Sequence, residues 1–168
     1  MSNKINQIQA SYNPSEDRIL LKIKTDNNQE YLAWITRRFM KLLLPILHGK
    51  HPTNGKNLFD SATNEMQQME KQQSQMLGDY QSAYETPDNP QYPLGEIPIL
   101  LVKITFKDIQ GENGKLIFEP EQGPGVVLPY RADLLGPLIK VFAQAMETAQ
   151  WNMEMEEIWQ IPAETVLQ

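Results

Sequence analysis

The sequence predicts an α+β fold: an antiparallel sheet of about six strands, two packing helices and a long inserted amphipathic helix. Three observations predict it. Short segments of alternating apolar and polar residues, separated by turn residues, recur in both halves of the 168-residue chain. Each set is followed by a segment with the apolar period of a helix. Between the two sets lies a heptad-spaced segment closed by a run of prolines.

The elements follow in order. Ile5 to Tyr12 is polar and weakly strand-like. Asn13-Pro14-Ser15-Glu16-Asp17 is a turn, because Pro fixes φ and Asn and Asp bond their own backbone. In Arg18 to Thr25, Ile19, Leu21 and Ile23 alternate with Leu20, Lys22 and Lys24, the pattern of a half-buried strand. Asp26 to Gln29 turns the chain, and Glu30 to Thr36 returns it with aromatic and β-branched residues. Thr36 suits an N-cap for a helix over Arg37 to Leu47, with Phe39, Leu42, Leu43, Ile46 and Leu47 on one face. Pro45 should kink or end that helix, since it cannot bond the Lys41 carbonyl.

A helical segment is expected from about Leu58 to Tyr84. Phe59, Ala62, Met66, Met69, Gln73, Met76, Tyr80 and Ala83 form a heptad seam with one polar member. Pro87, Pro90, Pro93 and Pro98 forbid a helix beyond it. Ile99 to Asp108 reads as the strongest strand, with Leu100, Val102, Ile104 and Phe106 on one face and Lys103, Thr105 and Lys107 on the other. Gly111-Glu112-Asn113-Gly114 closes a hairpin with Lys115 to Glu119. Val126 to Leu128 is a short strand, and Ala132 to Gln150 a long helix.

This order suggests one domain over 1–168, with halves 1–50 and 98–150, a helical insertion 57–85 and a Pro-rich linker 86–98. The halves could be copies of one β-β-β-α unit. The expected core is Leu21, Ile23, Ile35, Leu43, Ile46, Leu100, Val102, Ile104, Phe106, Leu138 and Phe142.

Composition narrows the function. There is no cysteine, so disulfides, thiolate metal sites and cysteine nucleophiles are excluded. The opening residues lack the apolar stretch of a secretory signal, and the apolar run Leu42 to Leu47 is far too short to span a bilayer. With a mean hydropathy of −0.48, this reads as a cytoplasmic protein without membrane contact. The net charge of −6 is unevenly spread. Residues 1–60 hold nine Lys and Arg against five Asp and Glu, and residues 61–168 hold six against sixteen. Either face could meet a charged partner.

Catalytic constellations are missing. His48 and His51 are the only histidines, and a metal site wants more ligands. Glu119 with Glu121, and Glu154 with Glu156 and Glu157, read as solvated acids. Neither a nucleophile elbow nor a phosphate-binding glycine loop is present. No cofactor and no enzymatic activity is therefore expected.

The leading expectation is a protein-binding subunit or adaptor of a larger assembly, with a protein partner or a second copy of itself. Its candidate anchors are Phe59, Met66, Met69, Met76 and Tyr80 on the seam, and Trp151 and Trp159 near the end. Methionine stripes repack against different partners, and tryptophans anchor interfaces. A methionine stripe at helical spacing is more often core, packed on the protein's own sheet. The alternative is single-stranded nucleic-acid binding by Lys22, Lys24, Tyr31, Trp34, Arg37, Arg38 and Lys41. There cations would track phosphates and rings would stack on bases. The acidic total, with a pI near 5.0, opposes that alternative.

Overall fold

The computed structural model describes residues 4–152. The mixed α and β content expected from the sequence is present, but the strands form two sheets rather than one of six. The first sheet has the order β1-β2-β3-β4 and the second β5-β6-β7. β1 (Ile5–Asn13), β2 (Arg18–Thr25) and β3 (Glu30–Thr36) form an antiparallel meander. α1 (Arg37–Leu47) follows at once, with the Thr36 hydroxyl accepting from the Phe39 amide at 3.1 Å. α2 (Ser61–Leu77) is the insertion. β4 (Ile99–Leu100) adds to β3 in parallel, and β5 (Lys103–Lys107), β6 (Lys115–Glu119) and β7 (Val126–Pro129) make the second meander. α3 (Ala132–Ala149) closes the described chain.

The expected single strand from Ile99 to Asp108 is split because the chain changes sheets in its middle. The Leu101 amide donates to the Trp34 carbonyl at 3.1 Å, and the next amide, Val102, donates to the Glu119 carbonyl at 2.9 Å. Two adjacent donors thus serve two sheets, and the alternation of side chains breaks there. Leu100 and Val102 are 43% and 49% exposed, against the expectation that both are core. Leu101 is 1% exposed in their place. Beyond the break the expected face returns, and Ile104 and Phe106 pack on the core from the second sheet.

The inner faces of both sheets meet the helices in one apolar cluster. Ile19, Leu21 and Ile35 come from the first sheet, Leu116 and Phe118 from the second, and Phe39, Leu43, Leu138 and Phe142 from α1 and α3. Phe39 and Phe118 meet edge to face at 5.4 Å, which ties α1 to the second sheet. The remaining members of the expected core, Ile23 and Ile46, are buried as well.

The insertion is shorter than the heptad seam. α2 ends at Leu77, so Tyr80 and Ala83 lie beyond it. Gly78 caps the helix, and the Asp79 carboxylate accepts from the amides of Gln81 and Ser82, which fixes a turn. Tyr80 folds back and donates to the Gln75 carbonyl at 2.8 Å. The Pro-rich linker then runs as a strap against the first sheet. Gln7 holds the Ala83 carbonyl and the Glu85 amide, Lys24 holds the Glu85 carbonyl, and Asn28 holds the carbonyls of Asp88 and Asn89.

The sheet change yields a paired test. Leu101→Asp buries an unpaired carboxylate and is expected to cost more than about 3 kcal/mol or to abolish folding. Val102→Asp, one residue on, is expected to stay within about 0.5 kcal/mol of the parent protein. Urea denaturation of the two variants distinguishes this arrangement from a continuous strand, in which Val102→Asp would be the damaging change.

Candidate functional site

α2 packs with its polar side inward. Thr63, Gln67 and Ser74 are half-buried on that side, and Lys71 is 5% exposed. The Lys71 ammonium donates to the Leu47 carbonyl at 2.7 Å, at the end of α1 where carbonyls lack intrahelical partners. The Tyr130 hydroxyl donates to the neighbouring Ile46 carbonyl at 2.7 Å, and Lys71 lies over the Tyr130 ring at 5.9 Å. Phe59 stacks on the same ring at 5.9 Å and is buried. Burial pushes the Lys71 ammonium down to about 8 and the Tyr130 hydroxyl up.

Gly136 of α3 completes the junction. A Cβ at that position would sit 2.3 Å from the Lys71 carbonyl oxygen and 3.0 Å from the Ser74 Cβ. The two helices approach this closely only because no side chain intervenes.

The consequence lies on the far side of α2. At 100° per residue, positions 66, 69 and 76 lie about 140–160° around the helix from position 71. Met66, Met69, Met76 and Leu77 are accordingly 62–86% exposed. Burying a methionine side chain is worth roughly 1.5–3 kcal/mol, so this stripe leaves a substantial apolar area in water. Of the sequence-derived anchors, Met66, Met69 and Met76 share this open face. Phe59 is packed beneath the helix start. Tyr80 is half-buried, with Lys140 over its ring at 5.6 Å.

Trp151 is 5% exposed and is anchored within the chain. Its indole N–H donates to the Asp17 carboxylate at 3.0 Å, and its ring meets Tyr12 edge to face at 6.0 Å. Tyr12 donates to the same carboxylate at 2.6 Å. These two bonds, with the Arg37 charge near by, hold the Asp17 carboxyl below its usual range. Trp159 lies outside the described residues.

The basic and aromatic residues do not form one surface. Ile23 pairs with Tyr31 while Leu20 pairs with Trp34, so the two rings point to opposite faces of the first sheet. Tyr31 packs against the core side. Lys22 and Lys24 are on the outer face but lie over the Tyr84 ring at 5.8 and 5.7 Å. Tyr84 in turn donates to the buried Glu30 carboxylate at 2.5 Å. The strap therefore occupies this end of the face. At the other end Arg18 stacks over Trp34 at 3.9 Å, and Arg37 and Arg38 are exposed at the start of α1 with half-buried Lys41 behind them.

An open cavity of about 890 Å³ lies between α2, the 109–112 turn and the start of α3. Phe59, Gln67, Glu70, Glu112 and Tyr130 contribute to its walls. Its lining includes no histidine. Among the described residues no group of three or more His, Asp and Glu is placed to hold a metal ion. His51 turns to Thr53 and to the Phe106 ring, away from any carboxylate partner described. No described helix is long and apolar enough to cross a membrane.

The chain matches no family model, no curated protein and no solved structure.

The junction generates two measurable effects. Gly136→Ala is expected to destabilise the protein by roughly 1–3 kcal/mol, although alanine is the better helix former by about 1 kcal/mol. A stabilised variant would mean that α2 does not seat on α3. The second effect is on pH. The Lys71 ammonium titrates near 8 in the folded chain and near 10.5 when free. Between these values the unfolded chain binds more protons, so this group makes stability rise with pH across that window. The rise is expected to be smaller in Lys71→Met, as read by denaturation at pH 8 and pH 10.

Proposed function

We propose that this chain is a non-enzymatic protein-binding subunit or adaptor, cytoplasmic in setting, whose partner seats on the exposed face of α2. One observation carries the proposal: the methionine stripe faces water while the polar side of the same helix is pinned inward. A helix free to choose its orientation by hydrophobicity would bury the methionines. Here the Lys71 bond and the Gly136 contact hold it the other way, and the stripe is left with nothing over it among the described residues. Flexible, polarizable methionine suits an interface that must fit a partner surface closely.

Single-stranded nucleic-acid binding is the second reading, supported by the Arg18–Trp34 stack beside Arg37 and Arg38. It would be marked by steep salt dependence.

The experiment is affinity capture of the full chain from its native cells, with bound protein and nucleic acid both identified. A stoichiometric protein is expected, and Met66→Gln with Met69→Gln is expected to lose it at least about tenfold, equivalent to about 1.4 kcal/mol. Thermal stability should stay close to that of the parent, because both side chains are already in water. Full retention of the partner by the folded double variant would sink this reading. Nucleic acid captured without a stoichiometric protein would favour the second.

A further inference from the structure

The open face of α2 has the pattern of one helix of a two-stranded coiled coil. Ala62, Met66, Met69, Gln73 and Met76 follow the alternating steps of a heptad, with Met66 and Gln73 at a and the other three at d. All five are exposed. In the same register the side chains turned inward take the positions that a coiled coil leaves free. Gln67 and Ser74, half-buried, fall at b, and buried Lys71 falls at f, farthest from the seam. The close approach of Gly136 is to Lys71 and Ser74, again at f and b. The fold therefore grips α2 by its back and leaves the whole seam in water.

The positions beside the seam carry charge of one sign. Glu65 falls at g and Glu70 at e, both exposed and neither in a salt bridge among the described residues. Lys71 is the only cation on the helix and is turned away. Charges at e and g set partner choice in coiled coils. Two copies of α2 paired along this seam could bring only glutamate against glutamate, in either direction, so a second copy is disfavoured. Gln73 points the same way. One polar residue at a costs stability but fixes register against a polar residue opposite, which a featureless apolar surface would not supply. Leu77, at e and 86% exposed, widens the apolar strip on one side. The helix has 17 residues, a length of about 25 Å, so a partner helix of about five turns covers it.

We propose that α2 pairs with an amphipathic helix of a different protein. That helix carries an apolar seam, one polar residue to face Gln73, and Lys or Arg beside the seam to meet Glu65 and Glu70. The inference rests on the reading of α2 as the partner site and adds the partner's chemistry.

The probe is a synthetic helix about three heptads long, with Ile at a, Leu at d, one Asn at a central a position, and Lys at every e and g. A second peptide differs only in having Glu at e and g. Binding of each to the full chain is read by fluorescence anisotropy at low salt. The lysine peptide is expected to bind at least about tenfold more tightly than the glutamate peptide, a preference that shrinks with added salt. Glu65→Lys with Glu70→Lys is expected to invert the preference, with melting close to that of the parent because both side chains are in water. Met69→Gln with Met76→Gln is expected to weaken the favoured peptide at least about tenfold. Equal binding of the two peptides, or no binding of either, overturns the proposal. So does a preference that the charge reversal leaves unchanged, since the lysine peptide would then sit elsewhere on an acidic protein. A full chain that self-associates in sedimentation, and loses this in Met69→Gln with Met76→Gln, overturns it in favour of a second copy. The partner-site reading fails on a different result, retention of the captured protein by Met66→Gln with Met69→Gln.

Discussion

The Lys71 ammonium sits 2.7 Å from the Leu47 carbonyl, and α2 faces the fold with the side that carries this bond. Burying an ammonium is costly, which is why this one is held well below its free value, and the carbonyl bond offsets part of that cost. Here the cation finds the carbonyls that a helix end leaves unsatisfied, with an aromatic ring beside it. Tyr130 takes the adjacent carbonyl, so the end of α1 is closed by two donors from distant parts of the sequence. Gly136 lets α3 come close enough to clamp the same helix. α1, α2 and the entry to α3 therefore converge on one polar junction. The outward stripe of methionines is its consequence.

A second constraint acts on the other side of the molecule. Leu101 and Val102 give consecutive amide bonds to different sheets, so the two meanders share one chain crossing rather than one ladder. That crossing leaves Leu100 on the outer face beside Trp34. The strap residues, apart from a single bridge at Gln91, are outside the ladders and spend their backbone groups on side chains at the opposite end of that face. The outer face is thus divided. One end is covered by the strap, and at the other Arg18 stacks over Trp34 beside partly exposed Leu100.

Much of this was legible in the residues. β2, β3, α1 and α3 lie where their apolar repeats place them, and α1 also starts at its Thr36 cap. The helix after Leu58 was legible as a helix, but its facing was not. Lys71 among glutamines looks like any solvated lysine, and the carbonyl that recruits it is 24 residues away. Tertiary contact overrode the hydrophobic pattern there. The sheet change at Leu101 was hidden because Ile99 to Val102 are apolar in either phase, while Lys103 to Lys107 alternate in the one phase that the pattern of Leu100 and Val102 continues. The facing of Tyr31 and Trp34 was readable, since a spacing of three on a strand puts two side chains on opposite faces. Trp151 had no local signal for its site, because Tyr12 and Asp17 lie at the other end of the chain.

The uneven charge of the sequence acquires a spatial sense from these placements. Of the basic residues in the first sixty, Lys22 and Lys24 are turned to the strap, while Arg18, Arg37 and Arg38 rim the open end of the first sheet. Glu65 and Glu70 are exposed beside the methionine stripe, so the open face of α2 is acidic at its edges. The two open surfaces therefore differ in sign. A charged group suited to one is disfavoured on the other, so the polar junction that turns α2 and the strap that covers half of the first sheet together leave two faces of unlike chemistry on one small fold.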